Sequence, residues 1–180
     1  MKIKTVTTTL TLGVLFAGGF FLSRGMASPS HDFPPYVGSE GLQRIKMLGG
    51  VWEGTSKKDG KEEKVTVEYH VTSGGSAVVE TLFPGTPAEM VTIYHDEGGK
   101  LSMTHYCMLA NHPVMDLVKS GNNRLEFSLA KDGHVDAAKE KHMHALTLDF
   151  PDSTHLNHRW VCYENGKENE VAALSFTKKS

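Results

Sequence analysis

Short segments in which apolar and polar residues alternate recur along most of this chain, and they constrain its fold more than any other feature. Such alternation is typical of β-strands with one buried face, because successive side chains point to opposite sides of a strand. Groups of glycine, proline, asparagine and aspartate separate the segments and predict turns. We predict strands over residues 51–57, 64–72, 76–83, 89–95, 100–109, 124–130, 142–150, 155–164 and 168–177.

The order of these segments predicts an all-β fold. Strands joined mostly by tight turns form an antiparallel meander, and a meander of this size removes its exposed edges by closing into a barrel. We therefore expect an antiparallel β-barrel of about nine or ten strands, with a two-sheet sandwich as the alternative. Residues 39–48 predict a short capping helix, because Ser39 can cap it and Leu42, Ile45 and Leu48 recur at helical spacing.

The start of the chain has the features of an export signal. A short basic segment precedes an apolar run, and Gly25-Met26-Ala27 fits the small-x-small pattern of a cleavage site. We predict a signal peptide over residues 1–27, a Pro-rich leader over 28–38 and a barrel domain over 39–180, with periplasmic or secreted localisation. A retained N-terminal anchor is the alternative.

The charge balance restricts the classes of partner. Residues 1–27 contain three basic residues and no acidic one, so the rest of the chain has 16 basic and 21 acidic residues. This balance argues against nucleic acid and against anionic membranes, which both require basic surfaces. We expect a small molecule or a metal ion as the partner, and the sequence leaves the oligomeric state open.

Several polar residues lie on strand faces that are otherwise apolar. We predict that Glu80, His105 and Cys162 face the barrel interior, together with both histidines of the His142-Met143-His144 motif. Counting residues from the turns also places Val91, Ile93 and His95 on the inner face of their strand. Polar groups on a buried face require a partner, and this requirement indicates a site inside the barrel.

Three interpretations of this site remain open. In the first, His105, His142, His144 and Cys162 bind a divalent transition metal (zinc, iron or copper), with Glu80 as an acid or base in a metal-dependent enzyme. In the second, the same cavity binds a small polar ligand or haem, to which two further histidines and a cysteine contribute. These residues are His95, His158 and Cys107. In the third, the polar groups form an internal hydrogen-bond network.

The two cysteines that follow residue 27 are not expected to form a disulfide. Cys107 and Cys162 lie late in strands that run in opposite directions, so the predicted meander places them toward opposite ends of the barrel. A disulfide requires Cα atoms within about 7 Å. A thiolate metal ligand or a buried thiol fits this arrangement better.

The segment Leu48-Gly49-Gly50-Val51-Trp52-Glu53-Gly54, which follows the predicted helix, resembles the opening of calycin-type barrels of the lipocalin and nitrobindin-like group. This resemblance implies a Gly-x-Trp element that fills the closed end of a barrel. Nitrobindin-like proteins bind haem through a histidine in the last strands, and this chain has no histidine after His158, so haem matches less well than a metal ion. A second resemblance is to small secreted bacterial proteins of unassigned function, and it rests on residues 90–92, 104–107, Asn111, Pro113 and 142–144.

Overall fold

The computed structural model describes residues 34–58 and 61–180 of the chain. The predicted signal peptide and most of the predicted leader lie outside these residues. The described part contains one α-helix, a single 3-10 turn and ten strands. In chain order these are α1 (Glu40–Lys46), β1 (Gly50–Lys58), β2 (Lys61–Thr72), the turn Ser73–Gly75, β3 (Ala77–Leu82), β4 (Met90–Glu97), β5 (Lys100–Tyr106), β6 (Val114–Gly121), β7 (Arg124–Leu129), β8 (His142–Asp149), β9 (His155–Glu164) and β10 (Lys167–Lys178).

The ten strands form a closed barrel in which every strand pairs antiparallel with its neighbours in sequence, and β10 pairs with β1. The predicted fold class is therefore confirmed, and the sandwich alternative is wrong. Closure requires a glycine on β1, because a Cβ atom at Gly54 would overlap the carbonyl oxygen of Ser175 on β10. Within the described residues no helix has the length and apolar character needed to cross a membrane.

Strand β6 lies within a segment that the sequence predicted to be a connection, residues 110–123. The alternation between buried and exposed residues is short in this strand. Met115 is buried and Leu117 is partly buried, but the register then shifts between Leu117 and Lys119, and Val118 is exposed. A bulge of this kind interrupts the two-residue period on which the prediction depends. The other nine strands correspond to predicted ones.

Helix α1 covers one end of the barrel. The hydroxyl of Ser39 accepts a hydrogen bond from the backbone N–H of Leu42 and caps the helix, as predicted. Leu42 and Ile45 are fully buried against the strands. Ser39 also donates to the carboxylate of Asp96 at the end of β4, and the indole of Trp52 donates to the Leu48 carbonyl oxygen at 2.7 Å. This is the closed end of the barrel.

The predicted inner faces of four strands are confirmed by burial. On β3, β7 and β9 the residues expected inside are buried, with Leu129 of β7 only partly so. On β5 the prediction holds for Leu101, Met103 and His105, but the strand ends at Tyr106, so Cys107 is only partly buried and Leu109 is exposed. The confirmed buried residues are Val78, Glu80, Leu82, Leu101, Met103, His105, Leu125, Phe127, Leu156, His158, Trp160 and Cys162. The sequence therefore places Glu80 and His105 inside the barrel correctly.

The inner face of β4 was predicted wrongly. Thr92 and Tyr94 are buried, whereas Val91, Ile93 and His95 lie on the other side of the strand. The error comes from the β4–β5 turn, which contains only Gly98 and Gly99, both at positive φ. A two-residue turn pairs Glu97 with Lys100 and therefore Thr92 with His105, one residue away from the predicted pairing of Val91 with His105.

Candidate functional site

A cavity of about 520 Å³ opens at the end of the barrel opposite α1. Its size lies within the range of small-molecule sites in proteins. Exposed residues of the strand ends and turns form its rim, namely Glu63, Lys64, Thr86, Met108 and Glu170. Buried residues form its floor, namely Val65, Leu82, His105, Trp160 and Leu174. The cavity therefore has a charged entrance and a mainly apolar interior.

His105 and Trp160 are the residues of this floor that carry polar side-chain atoms. Their rings are in contact, with centroids 4.4 Å apart. His105 Nε2 and Trp160 Nε1 are both buried, and neither has a hydrogen-bond partner among the described protein atoms. An unpaired buried polar atom costs free energy on the order of 1–3 kcal/mol. Two of them side by side at the floor of a cavity indicate a place for a polar group of a bound molecule.

The position of His105 is fixed from behind by a row of side chains on three adjacent strands. Thr92 Oγ1 lies 2.9 Å from His105 Nδ1, and the same hydroxyl donates to Glu80 Oε1 at 3.4 Å. Glu80 also accepts a hydrogen bond from the Tyr94 hydroxyl at 2.7 Å. The residues share a face because Glu80 pairs with Thr92, and Thr92 with His105. Glu80, Thr92 and His105 are called the interior polar row below.

A second buried histidine extends this network away from the cavity. The Tyr69 hydroxyl lies 2.9 Å from His158 Nε2, and the Tyr69 ring stacks on that of Tyr94. His158 also contacts the ring of Phe176. His158 was predicted as a cofactor-binding residue, and the structure places it in the barrel interior but not among the residues that line the cavity.

Burial determines the charge states of these groups. It lowers the pKa of His105 to about 4 and the pKa of His158 to about 3, so both imidazoles are neutral at pH 7. Burial raises the pKa of Glu80, while hydrogen bonds from Tyr94, Tyr69 and Thr92 act in the opposite direction. The pKa values of both tyrosines are raised, first by their own burial and then by the nearby Glu80 charge.

His142 and His144 do not face the interior, which corrects their predicted position. The register of β8 shifts between Met143 and Ala145, so one extra residue reverses the faces of the residues before it. Met143 consequently lines the cavity. The ring of His144 stacks on Tyr163 at 3.9 Å, and Tyr163 follows the inward-facing Cys162 and so lies on the outer face.

The two histidines are held by local contacts. His142 Nδ1 donates to the Glu140 carbonyl oxygen at 2.8 Å, and His142 Nε2 lies 3.1 Å from His144 Nδ1. Because the carbonyl only accepts, His142 Nδ1 carries a proton, and in the neutral imidazole Nε2 then accepts from His144 Nδ1. Burial, and next the neighbouring His142, lower the pKa of His144. His142 and His144 are called the outer histidine pair below.

The other predicted ligands are His95, Cys107 and Cys162. His95 lies on the outer face of β4, beside a surface groove that Asp132 and His134 share, which corrects its predicted inward position. Cys107 follows β5, with its sulfur 4.0 Å from that of Met90. Cys162 is buried opposite Met143 but does not line the cavity, and both thiols are free. The prediction that the cysteines lie toward opposite ends of the barrel is wrong, because the additional strand β6 makes β5 and β9 run in the same direction, so both cysteines lie toward the open end.

These positions do not form the three-ligand centre that the sequence predicted. His105 lies at the cavity floor, while the outer histidine pair lies on the other side of the sheet. Among residues 34–58 and 61–180, no three side chains of His, Cys, Asp or Glu are grouped so that they could hold one metal ion. Metal binding stays a prediction, without support from the arrangement of the predicted ligands.

The sequence prediction missed several residues that complete the site. Trp160 was interpreted as core, and Thr92, Tyr94 and Tyr69 were not considered. Thr92 and Tyr94 could have been found from the Gly98-Gly99 turn, because a two-residue turn sets Thr92 opposite His105 and Tyr94 on the same face. The unpaired indole nitrogen of Trp160 has no signal in the sequence, since it depends on which atoms surround the ring.

The fold and the site define a closed ten-stranded antiparallel β-barrel with a cavity at its open end. No protein-family model matches the chain, and no curated protein matches it. Among solved structures it is similar to a redesigned β-barrel, with 8% sequence identity, a TM-score of 0.34, and coverage of 76% of this chain and 94% of that chain. The calycin-type relationship stays a prediction.

Proposed function

We propose that this protein binds a small, mainly apolar molecule in the cavity at the open end of the barrel. The observation that carries the proposal is the pair of unpaired ring nitrogens of His105 and Trp160 on an otherwise apolar floor. Small-molecule sites characteristically combine an apolar lining with a few polar groups that fix the orientation of the ligand. The apolar body of the ligand contacts Val65, Leu82 and Leu174, and its polar end contacts the two rings.

The proposal extends to the compartment. The basic and apolar start of the chain and its small-x-small triplet support export, so the ligand is a molecule met in the periplasm or outside the cell. The methionines Met90, Met108 and Met143 around the cavity favour binding of apolar molecules of varied shape, because methionine side chains adapt to irregular surfaces.

A test of this proposal is to fill the cavity. Ala172 lines it on β10, whereas the next residue, Ala173, is exposed on the outer face of the same strand. Titration with the uncharged fluorescent probe N-phenyl-1-naphthylamine should show saturable binding to the wild-type protein. Ala172→Phe should weaken this binding at least tenfold, and Ala173→Phe should leave it unchanged.

A second cavity-filling variant tests the proposal independently if Ala172→Phe does not fold. Ala88 lines the cavity from the β3–β4 turn, outside the strand ladder, so Ala88→Trp adds volume without disturbing strand pairing. Circular dichroism and thermal unfolding establish that each variant is folded. Probe binding that is absent from the wild type, or equal in all four proteins, would show that the cavity is not the binding site.

A further inference from the structure

The chemistry of the ligand's buried end follows from the direction of the hydrogen bonds behind His105. Thr92 Oγ1 donates to Glu80 Oε1. A hydroxyl has one proton, so the same oxygen can only accept from His105 Nδ1, which lies 2.9 Å away. With Glu80 ionised and accepting the Thr92 proton, His105 Nδ1 carries the proton of the neutral imidazole, and Nε2 presents a lone pair. The interior polar row makes His105 Nε2 a hydrogen-bond acceptor.

Trp160 supplies the complementary function. An indole nitrogen is a donor only, so Trp160 Nε1 offers an N–H beside the acceptor of His105. Both atoms are buried and unpaired, and the two ring centroids are 4.4 Å apart. A ligand group that satisfies both must donate one hydrogen bond and accept another within a short distance.

The charges around the cavity disfavour an anionic group at this position. Glu80 lies behind His105, and the exposed rim carries Glu63 and Glu170 against the one cation Lys64 among the residues that line the cavity. Burial of a carboxylate beside a neutral imidazole, without a cation at the floor, costs several kcal/mol. The floor therefore favours a neutral polar group.

On the basis of the proposed function, we infer that the ligand is a neutral molecule that inserts a hydroxyl group between His105 and Trp160. The hydroxyl proton is donated to His105 Nε2, and the hydroxyl oxygen accepts from Trp160 Nε1. An alcohol combines both functions in one atom, whereas a ketone can only accept and leaves the His105 lone pair unpaired. The ligand class that meets both requirements with a single atom is an apolar alcohol or phenol.

Displacement of N-phenyl-1-naphthylamine by ligands of equal chain length tests this inference. At pH 7.5, 1-octanol should displace the probe at a concentration about tenfold lower than 2-octanone, because of one additional buried hydrogen bond. Octanoate should be the weakest of the three. The ratio between 1-octanol and 2-octanone should fall to within twofold in His105→Phe. It should persist in Trp160→Phe, where both ligands lose the same donor, and in His112→Phe, a control outside the cavity.

The failures are distinguishable. If 2-octanone or octanoate binds as tightly as 1-octanol while the probe binds in the cavity, the inferred hydroxyl contact is wrong and the proposed function stands. The hydroxyl contact is equally wrong if the ratio survives in a folded His105→Phe protein. If neither the probe nor any of the three ligands binds, the proposed function fails with it.

Discussion

The interior polar row and the outer histidine pair both place imidazoles on strands near the open end, but their surroundings differ. Glu80, Thr92 and His105 connect through side chains across β3, β4 and β5 and are all buried. His142 and His144 belong to one strand, where a backbone carbonyl and the Tyr163 ring hold them. One extra residue in β8 accounts for the difference, since it turns the pair to the outer face.

The comparison shows that surroundings, more than residue type, determine what a histidine can do here. In the interior row Glu80, Thr92 and His105 Nδ1 are paired with specific side chains, and an unpaired atom that lines the cavity, such as His105 Nε2, is available to a ligand. On the outer face His142 is buried beneath its local contacts, whereas His144 is partly exposed and can exchange hydrogen bonds with water. Disruption of the interior row should therefore have larger consequences than removal of His144.

The largest effect is expected at Glu80. Glu80→Ala removes the acceptor for the hydroxyls of Tyr94 and Thr92 and opens a cavity at a fully buried position. We expect the free energy of unfolding to fall by about 3–5 kcal/mol. Urea denaturation followed by circular dichroism measures this change.

Glu68 provides a matched control for this substitution, because it is an exposed glutamate on β2 that pairs with Thr81. Glu68→Ala should change the free energy of unfolding by less than about 0.5 kcal/mol. Equal denaturation midpoints for the two variants would contradict the view that the interior row stabilises the barrel.

The pH dependence of stability tests the charge state of the two fully buried interior histidines. Burial lowers the pKa of His105 to about 4 and that of His158 to about 3, against 6.5 for an unperturbed histidine. Between pH 6.5 and 4 the unfolded chain therefore binds more protons, so stability is lost as the pH falls through this range. Each histidine contributes a slope of up to about 1.4 kcal/mol per pH unit. Glu80, whose pKa is raised, acts in the opposite direction above pH 4.5.

Chemical denaturation at several pH values between 4 and 7 measures this slope. His105→Leu should lower the slope of the free energy of unfolding against pH by up to about 1.4 kcal/mol per pH unit, which corresponds to one proton, since the leucine side chain does not titrate in either state. A slope that is the same in His105→Leu and wild type would show that His105 is not held neutral in the folded protein.

A smaller effect is expected at the outer histidine pair. His144→Ala removes the stacking on Tyr163 and the contact with His142. We expect a loss of less than about 1 kcal/mol in the free energy of unfolding, because His144 is partly exposed. Probe binding should stay within twofold of the wild type. A tenfold loss of probe affinity in this variant would place the pair in the binding site.

Much of the fold could be predicted from the sequence because most strands keep a strict alternation between turns. Val78, Glu80 and Leu82 show this on β3, and the burial of Glu80 and His105 was predicted for the same reason. The capping helix was predictable from Ser39 and its apolar spacing. These features depend on local sequence alone.

The rest of the site depends on tertiary context. On β4 both faces are apolar enough to be buried, and the choice is made by pairing with Glu80 and by the large Tyr94 ring. On β8 the bulge inserts a residue that no local pattern reveals, so the faces of His142 and His144 were predicted wrongly. The predicted convergence of these histidines with His105 failed for this reason.

The most direct measurement of the central claim is a long-range ¹H–¹⁵N spectrum of the histidine side chains, recorded with and without 1-octanol and assigned by single His→Gln variants. The structure predicts that His105 is neutral with its proton on Nδ1 from pH 5 to 8, and that its Nε2 resonance shifts when 1-octanol binds. The resonances of His142 and His144 should stay in place. If 1-octanol instead shifts the outer histidine pair and leaves His105 unchanged, the assignment of the cavity floor as the binding site is wrong.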